Sequence, residues 1–137
     1  MSVLVDTSVW SLALRRHTRD LNTAEAALTH SLDDLIYKGQ AQIIGAVRQE
    51  MLSGIREESQ YLKLRDALRS FPDTTLHSED YEEAAQMSNL CRRQGIAGSS
   101  IDFLLCAVAS RRHWPIFTTD RDFSGYRRVL GVKLYRA

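Results

Sequence analysis

The chain has 137 residues and a mass of 15.6 kDa, with 44% hydrophobic and 26% charged residues and a net charge of +1. This length suits a single domain, residues 1–137, that buries its own core, and the composition excludes a disordered chain. No apolar run nears the roughly 20 residues of a membrane span, no basic leader opens the chain, and Cys91 and Cys106 form no Cys-x-x-Cys pair, so a cytoplasmic protein is expected.

Val3-Leu4-Val5 is short, β-branched and bounded by Asp6, which predicts a buried strand. Thr7 and Ser8 can cap a helix beginning near Val9 and Trp10. Leu21, Ala24, Leu28, Leu32 and Leu35 recur at three- and four-residue spacing, one apolar helical face that ends near Gly39. Gln42-Ile43-Ile44 reads as a second strand. Val47, Met51 and Ile55 follow at helical spacing, and Tyr61, Leu64, Leu68 and Phe71 mark another helix stopped by Pro72. Thr74-Thr75-Leu76 is read as a third strand. Ser78 then precedes Glu79, Asp80, Glu82 and Glu83, whose charges suit a first helical turn and are read as structural. Tyr81, Ala84, Ala85 and Ser88 are expected to face inward. Gly95 and Gly98 interrupt the pattern before an apolar helix that Ser99 or Ser100 begins, carrying Ile101, Leu104, Leu105 and Val108. Pro115 opens a fourth strand, Ile116-Phe117-Thr118, and Val132-Lys133-Leu134 forms a fifth. Strands alternating with helices imply an α/β fold with a mostly parallel central sheet of about five strands between helices.

The carboxylates fall at particular points of this scheme. Asp6 ends the first strand and Asp120 the fourth, with Asp122 two residues on. Ligands of open α/β sheets gather beyond the carboxyl ends of strands. Glu50 and Asp102 sit on helices, and Asp102 borders a nearly unbroken apolar segment, where an acid must be paired, hydrogen-bonded or metal-bound. Converging carboxylates without His or Cys repel one another unless a hard cation lies between them, and oxygen-only ligation suits Mg²⁺ or Mn²⁺. Each position also has a local alternative. Asp6 can cap a helix, Asp102 stands three residues after Ser99 as in a capping box, Glu50 suits a polar helical face, and Asp120 and Asp122 suit a turn.

In order, LVDTSVW, QEMLSGI, SSIDFLLCAVA and IFTTDRDF resemble the motifs of the PIN-domain family, specifically its VapC-type ribonuclease toxins of prokaryotic toxin–antitoxin pairs. The resemblance spans Val3 to Leu134. It implies a PIN-like three-layer fold and RNA cleavage by metal-assisted hydrolysis, blocked by a cognate antitoxin. It also implies a homodimer, an expectation that the surplus of amphipathic helices supports. Carried onto this chain, it makes Asp6, Glu50, Asp102 and Asp120 catalytic and metal-holding and Asp122 an auxiliary metal ligand. Ser8 and Thr118 become hydroxyls that orient the carboxylates. Ser99-Ser100 depart from the bulkier residues that many relatives carry before the Asp.

The basic residues are 15 Arg and 3 Lys. Arg15, Arg16 and Arg19 follow the Asp6 strand and are the candidates for guiding RNA to an acidic site. Arg111 and Arg112, a helix length beyond Asp102, are read as structural. His17, His30, His77 and His113 are scattered, while Cys106 and Trp10 are assigned to the core. Other readings are a non-toxin PIN nuclease in RNA or DNA processing, a receiver-like signalling module and an aspartyl phosphatase. A receiver would carry an acidic pair after its first strand and an Asp after its third, where His77-Ser78 stand. The phosphatase would carry an acid where Ser8 stands.

Overall fold

The computed structural model describes all 137 residues. In chain order the elements are β1 (Val3–Val5), α1 (Thr7–Leu14), a 3-10 turn (Thr18–Asp20), α2 (Thr23–Tyr37), β2 (Ala41–Gln42), α3 (Gly45–Leu52), α4 (Glu58–Leu68), α5 (Ser78–Arg93), α6 (Ser100–Arg112), β3 (Ile116–Phe117) and α7 (Asp122–Leu130). The fold is α/β, with a sheet ordered β2-β1-β3 and parallel throughout. Leu4 of β1 lies opposite Gln42 on one side and Ile116 on the other. A central parallel strand buried on both faces reads as an unbroken apolar run, and Val3, Leu4 and Val5 are all fully buried.

Two expected strands are reduced to single bridges. Asp73 bridges Ile43 beside β2, and Leu134 bridges Ile116 beside β3. The sheet therefore has three strands rather than about five. Thr74 still donates its backbone N–H to Ile43, and Ile116 donates to Lys133, so both flanks follow the sheet without forming a ladder. Helix α4 ends at Leu68, four residues before Pro72.

The helices pack in two groups, one built on α1, α2, α3 and α4 and the other on α5, α6 and α7. Asn22 caps α2 in a reciprocal capping box with Glu25. In α6 every residue from Phe103 to Ala109 is buried. The inward face of α5 is Asp80, Met87 and Cys91, with Tyr81 57% exposed, so the helix is rotated from the expected face. A buried acid explains the rotation. Asp80 is fully buried and takes bonds from Arg111 (2.6 Å) and from Arg112 (2.7 and 3.0 Å), which close the far end of α6 onto the start of α5. Arg111 and Arg112 are structural in this sense. Trp10 is also buried, its indole N–H donating to the Val5 carbonyl at 3.1 Å. Both cysteines are buried and free.

Candidate metal centre

Because β1 and β3 are parallel neighbours, their carboxyl ends open at one edge. Asp6 continues β1 by donating its backbone N–H to Phe117 at 2.9 Å, then turns the chain into α1 as its N-cap. The cap is thus Asp6 itself rather than Thr7 or Ser8. Its Oδ2 accepts from Ser8 Oγ at 2.7 Å, from Thr118 Oγ1 at 2.8 Å and, at a long 3.4 Å, from the Ser8 backbone N–H. The two hydroxyls reach further. Ser8 Oγ accepts from the Thr119 N–H at 3.0 Å and Thr118 Oγ1 from the Asp120 N–H at 3.0 Å. Asp120 Oδ1 in turn accepts from the Asp122 N–H at 2.9 Å, closing the turn that starts α7. One chain of hydrogen bonds therefore runs from the end of β1 through the β3 loop to α7.

Asp102 arrives from a different direction, in the first turn of α6. Ser99 caps that helix by accepting the Asp102 backbone N–H at 3.1 Å. The Asp102 carboxylate does not return to complete a capping box. It accepts from the Tyr126 hydroxyl at 2.7 Å. Burial pushes the Asp102 carboxyl above the usual range. Hydrogen bonds from Tyr126 and Ser99 oppose the rise, and the charges of Asp6 and Asp120 add to it. Asp102, Asp120 and Asp122 each offer an oxygen within 4.8 Å of the others.

The edge brings three of the five expected acids, Asp102, Asp120 and Asp122, within reach of one small ion. Asp6 lies beside this triad, joined to it by hydrogen bonds and by its charge on Asp102. Glu50 is exposed on α3 and accepts the hydroxyl of Thr7, the residue after Asp6. The group fits a hard divalent cation. All donors are carboxylate oxygens within 4.8 Å of one another, on the scale of an octahedral Mg²⁺, whose opposite ligands lie about 4.2 Å apart.

Tyr126 was not anticipated from the sequence. It is fully buried on α7, packs at a tilt against Phe103 and meets Phe123 edge-on. Burial, reinforced by the bond to Asp102, holds its hydroxyl protonated well above tyrosine's usual range. Gly98 approaches so closely that a Cβ there would stand 2.5 Å from the Tyr126 hydroxyl and 2.9 Å from the Phe103 ring. The available signal was Phe123, Tyr126 and Leu130, spaced as one helical face after the last acid.

The arginines expected to guide RNA, Arg15, Arg16 and Arg19, all follow the last residue of α1, Leu14. Arg15 is the C-cap residue of that eight-residue helix, roughly 12 Å along the axis from its start. Arg16 is held by Glu25 at 2.9 Å, and Arg19 lies in the 3-10 turn.

Residues 3–129 match the profile of the family described as PIN domain. A search among curated proteins gave no match. Solved structures of similar fold include FitAcB from Neisseria gonorrhoeae, with TM-score 0.76, 18% identity and coverage of 98% of this chain and 96% of that one. VapBC2 from Rickettsia felis, bound to a promoter DNA fragment, is similar with TM-score 0.73 and 15% identity over 98% of each chain. VapBC-5 from Mycobacterium tuberculosis, a member of the VapBC family of toxin–antitoxin systems, matches with TM-score 0.69 and 16% identity over 99% and 98%.

Proposed function

The chain belongs to the PIN domain family, and from that premise we propose that it is a divalent-metal-dependent endoribonuclease, the toxin of a toxin–antitoxin pair. The observation that carries the reading is the triad Asp102, Asp120 and Asp122 converging within 4.8 Å at the carboxyl edge of a parallel sheet. Three or more carboxylates gathered without a cationic partner are a costly arrangement that a hard ion relieves.

In this reading Asp102, Asp120 and Asp122 hold Mg²⁺ or Mn²⁺, with Asp6 and Glu50 completing the acidic set. An ion held there would supply activation of a water and stabilisation of charge on the leaving oxygen of the phosphodiester. Ser8 and Thr118 fix the rotamer of Asp6 through their bonds to Oδ2. Tyr126 orients the Asp102 carboxylate through its bond to Oδ2. The solved toxin–antitoxin structures of similar fold support an antitoxin partner, which in this reading blocks the acidic edge. We include a homodimer in the proposal, to be checked by light scattering at micromolar concentration.

The test is incubation of end-labelled single-stranded RNA with the purified protein in Mg²⁺, in Mn²⁺ and in EDTA, beside Asp120→Asn and an equivalent DNA substrate. Internal RNA cleavage that needs metal and is lost in the variant is expected. Cleavage of DNA instead would favour the DNA-processing reading, and cleavage insensitive to EDTA and to Asp120→Asn would overturn the site.

A further inference from the structure

A cleft of about 760 Å³ opens directly beside the acidic triad, and Asp122 belongs to both. Small residues, Ala97, Ser124 and Gly125, line part of it, while Arg121, Arg127 and Arg128 supply its positive charge. Helix α7 explains the arrangement. Seven residues make about two turns, so Arg121 and Arg128 share a face with Ser124 and Gly125 between them, spread over roughly 10 Å of axis. The helix starts at the acids and runs away from them, so the arginines extend outward from the triad.

These three guanidinium groups are exposed and make no ion pair and no side-chain hydrogen bond. Arg16 is held by Glu25, Arg48 by Asp73, and Arg111 and Arg112 by Asp80; Arg15, Arg19, Arg56, Arg92, Arg93 and Arg136 are also unpaired, but none of them lines this cleft. Free guanidinium groups bind phosphate in a planar, two-pronged geometry. A carboxylate site repels a polyanion, so cations beside it are what make approach favourable.

We propose that the α7 cleft carries the RNA backbone adjoining the scissile bond, with Arg121, Arg127 and Arg128 as its phosphate contacts. This rests on the ribonuclease reading, and it places the RNA path on α7 rather than at the far end of α1. An RNA strand fits better than an acidic protein segment because its phosphates would continue, one per nucleotide, from the phosphate held at the triad.

The experiment is a fluorescence-anisotropy titration of a labelled single-stranded RNA, without divalent metal so that the RNA stays intact, at several salt concentrations. It compares the wild type, Arg127→Ala with Arg128→Ala, and Arg15→Ala with Arg16→Ala. Each phosphate contact on a single strand contributes about 0.7 to the log–log salt slope. The α7 pair should therefore flatten the slope by about 1.4 and weaken binding about tenfold or more, with Mn²⁺ affinity unchanged. Both arginines also stand in the last turn of α7, where positive charge suits the helix dipole. A purely structural role would lower the melting temperature and leave the salt slope alone, which would overturn the proposal. If the alanine pair fails to fold, Arg127→Gln with Arg128→Gln gives the same reading. A larger effect from the α1 pair, no RNA binding by the wild type, or preference for oligoglutamate over RNA would each overturn it. Wild-type binding that is salt-dependent and lost in the α7 pair, without any metal-dependent cleavage, would sustain the cleft and refute the nuclease reading.

Discussion

The Tyr126 hydroxyl donates to Asp102 Oδ2 across 2.7 Å, which makes a fully buried ring of α7 the partner of the acid that opens α6. The bond favours the ionised, metal-holding form of a carboxylate that burial pushes the other way. Tyr126→Phe keeps the ring packing and removes only the donor. It should lower Mn²⁺ affinity about tenfold, as loss of a ligand's supporting bond commonly does, and cost roughly 1.5 to 3 kcal/mol of stability. Calorimetric titration checks the first and denaturant unfolding the second. Unchanged Mn²⁺ affinity would assign the bond to folding alone.

Asp6→Asn separates capping from charge. Asn caps as well as Asp, so α1 should persist, while the carboxylate is lost from the edge. RNA cleavage should fall by about a hundredfold or more, and the metal-free protein should melt no lower than wild type, because one repelling charge is gone. Gel-based cleavage and a circular-dichroism melt test the pair of outcomes. A loss of activity accompanied by a collapsed fold would point to capping.

Metal should stabilise the fold by mass action. At a hundred times the dissociation constant the gain is about 2.7 kcal/mol, or roughly 10 °C in melting temperature for a chain of this size. Scanning calorimetry with Mn²⁺ and then EDTA should show the rise and its reversal. Asp120→Asn should abolish the rise; an equal rise in that variant would remove Asp120 from the ligand set.

Asp80 predicts an acid limb. Hydrogen bonds from Arg112, joined by those from His77 and Arg111, hold its carboxyl well below the ordinary range despite burial. An unfolded Asp titrates near 3.9, so the contribution of Asp80 is whole above about pH 4 and is lost as the pH falls below it. Asp80→Asn should cost about 3 kcal/mol near neutrality, the low end for a broken buried pair because the arginines remain partly exposed. The gap between variant and wild type should shrink toward pH 2. Urea unfolding at pH 7 and pH 3 measures it, and a gap independent of pH would contradict the assignment.

The positions of Asp6 and Asp120 were legible because each acid follows a short apolar strand, and parallel neighbours open at one edge. The apolar helical faces were legible from their spacing. The flanking strands were not, because whether Thr74 or Lys133 joins a ladder depends on the neighbouring strand beside it rather than on its own sequence. Nor does a run such as Glu79-Asp80-Tyr81-Glu82-Glu83 reveal which acid turns inward. That is decided by Arg111 and Arg112, some thirty residues away. Helix α7 is clearly amphipathic, but it is only nine residues long and opens straight from the Asp120–Asp122 turn with Gly125 near its middle, so the segment passes for a loop in the sequence. The α7 cleft went with it.

The approach of Gly98 to Tyr126 ties two positions of the chain into one evolutionary unit. Any side chain at 98 would force the Tyr126 hydroxyl off Asp102 or push the Phe103 ring aside. Position 98 can therefore accept a Cβ only after position 126 has given up its hydroxyl, and the rings of Phe103 and of position 126 itself, each 2.9 Å from that Cβ, must still shift. The tolerated order of substitutions is thus one-way. Transplanting this acidic edge into another PIN scaffold requires the glycine and the tyrosine to move together, although 27 residues of chain lie between them.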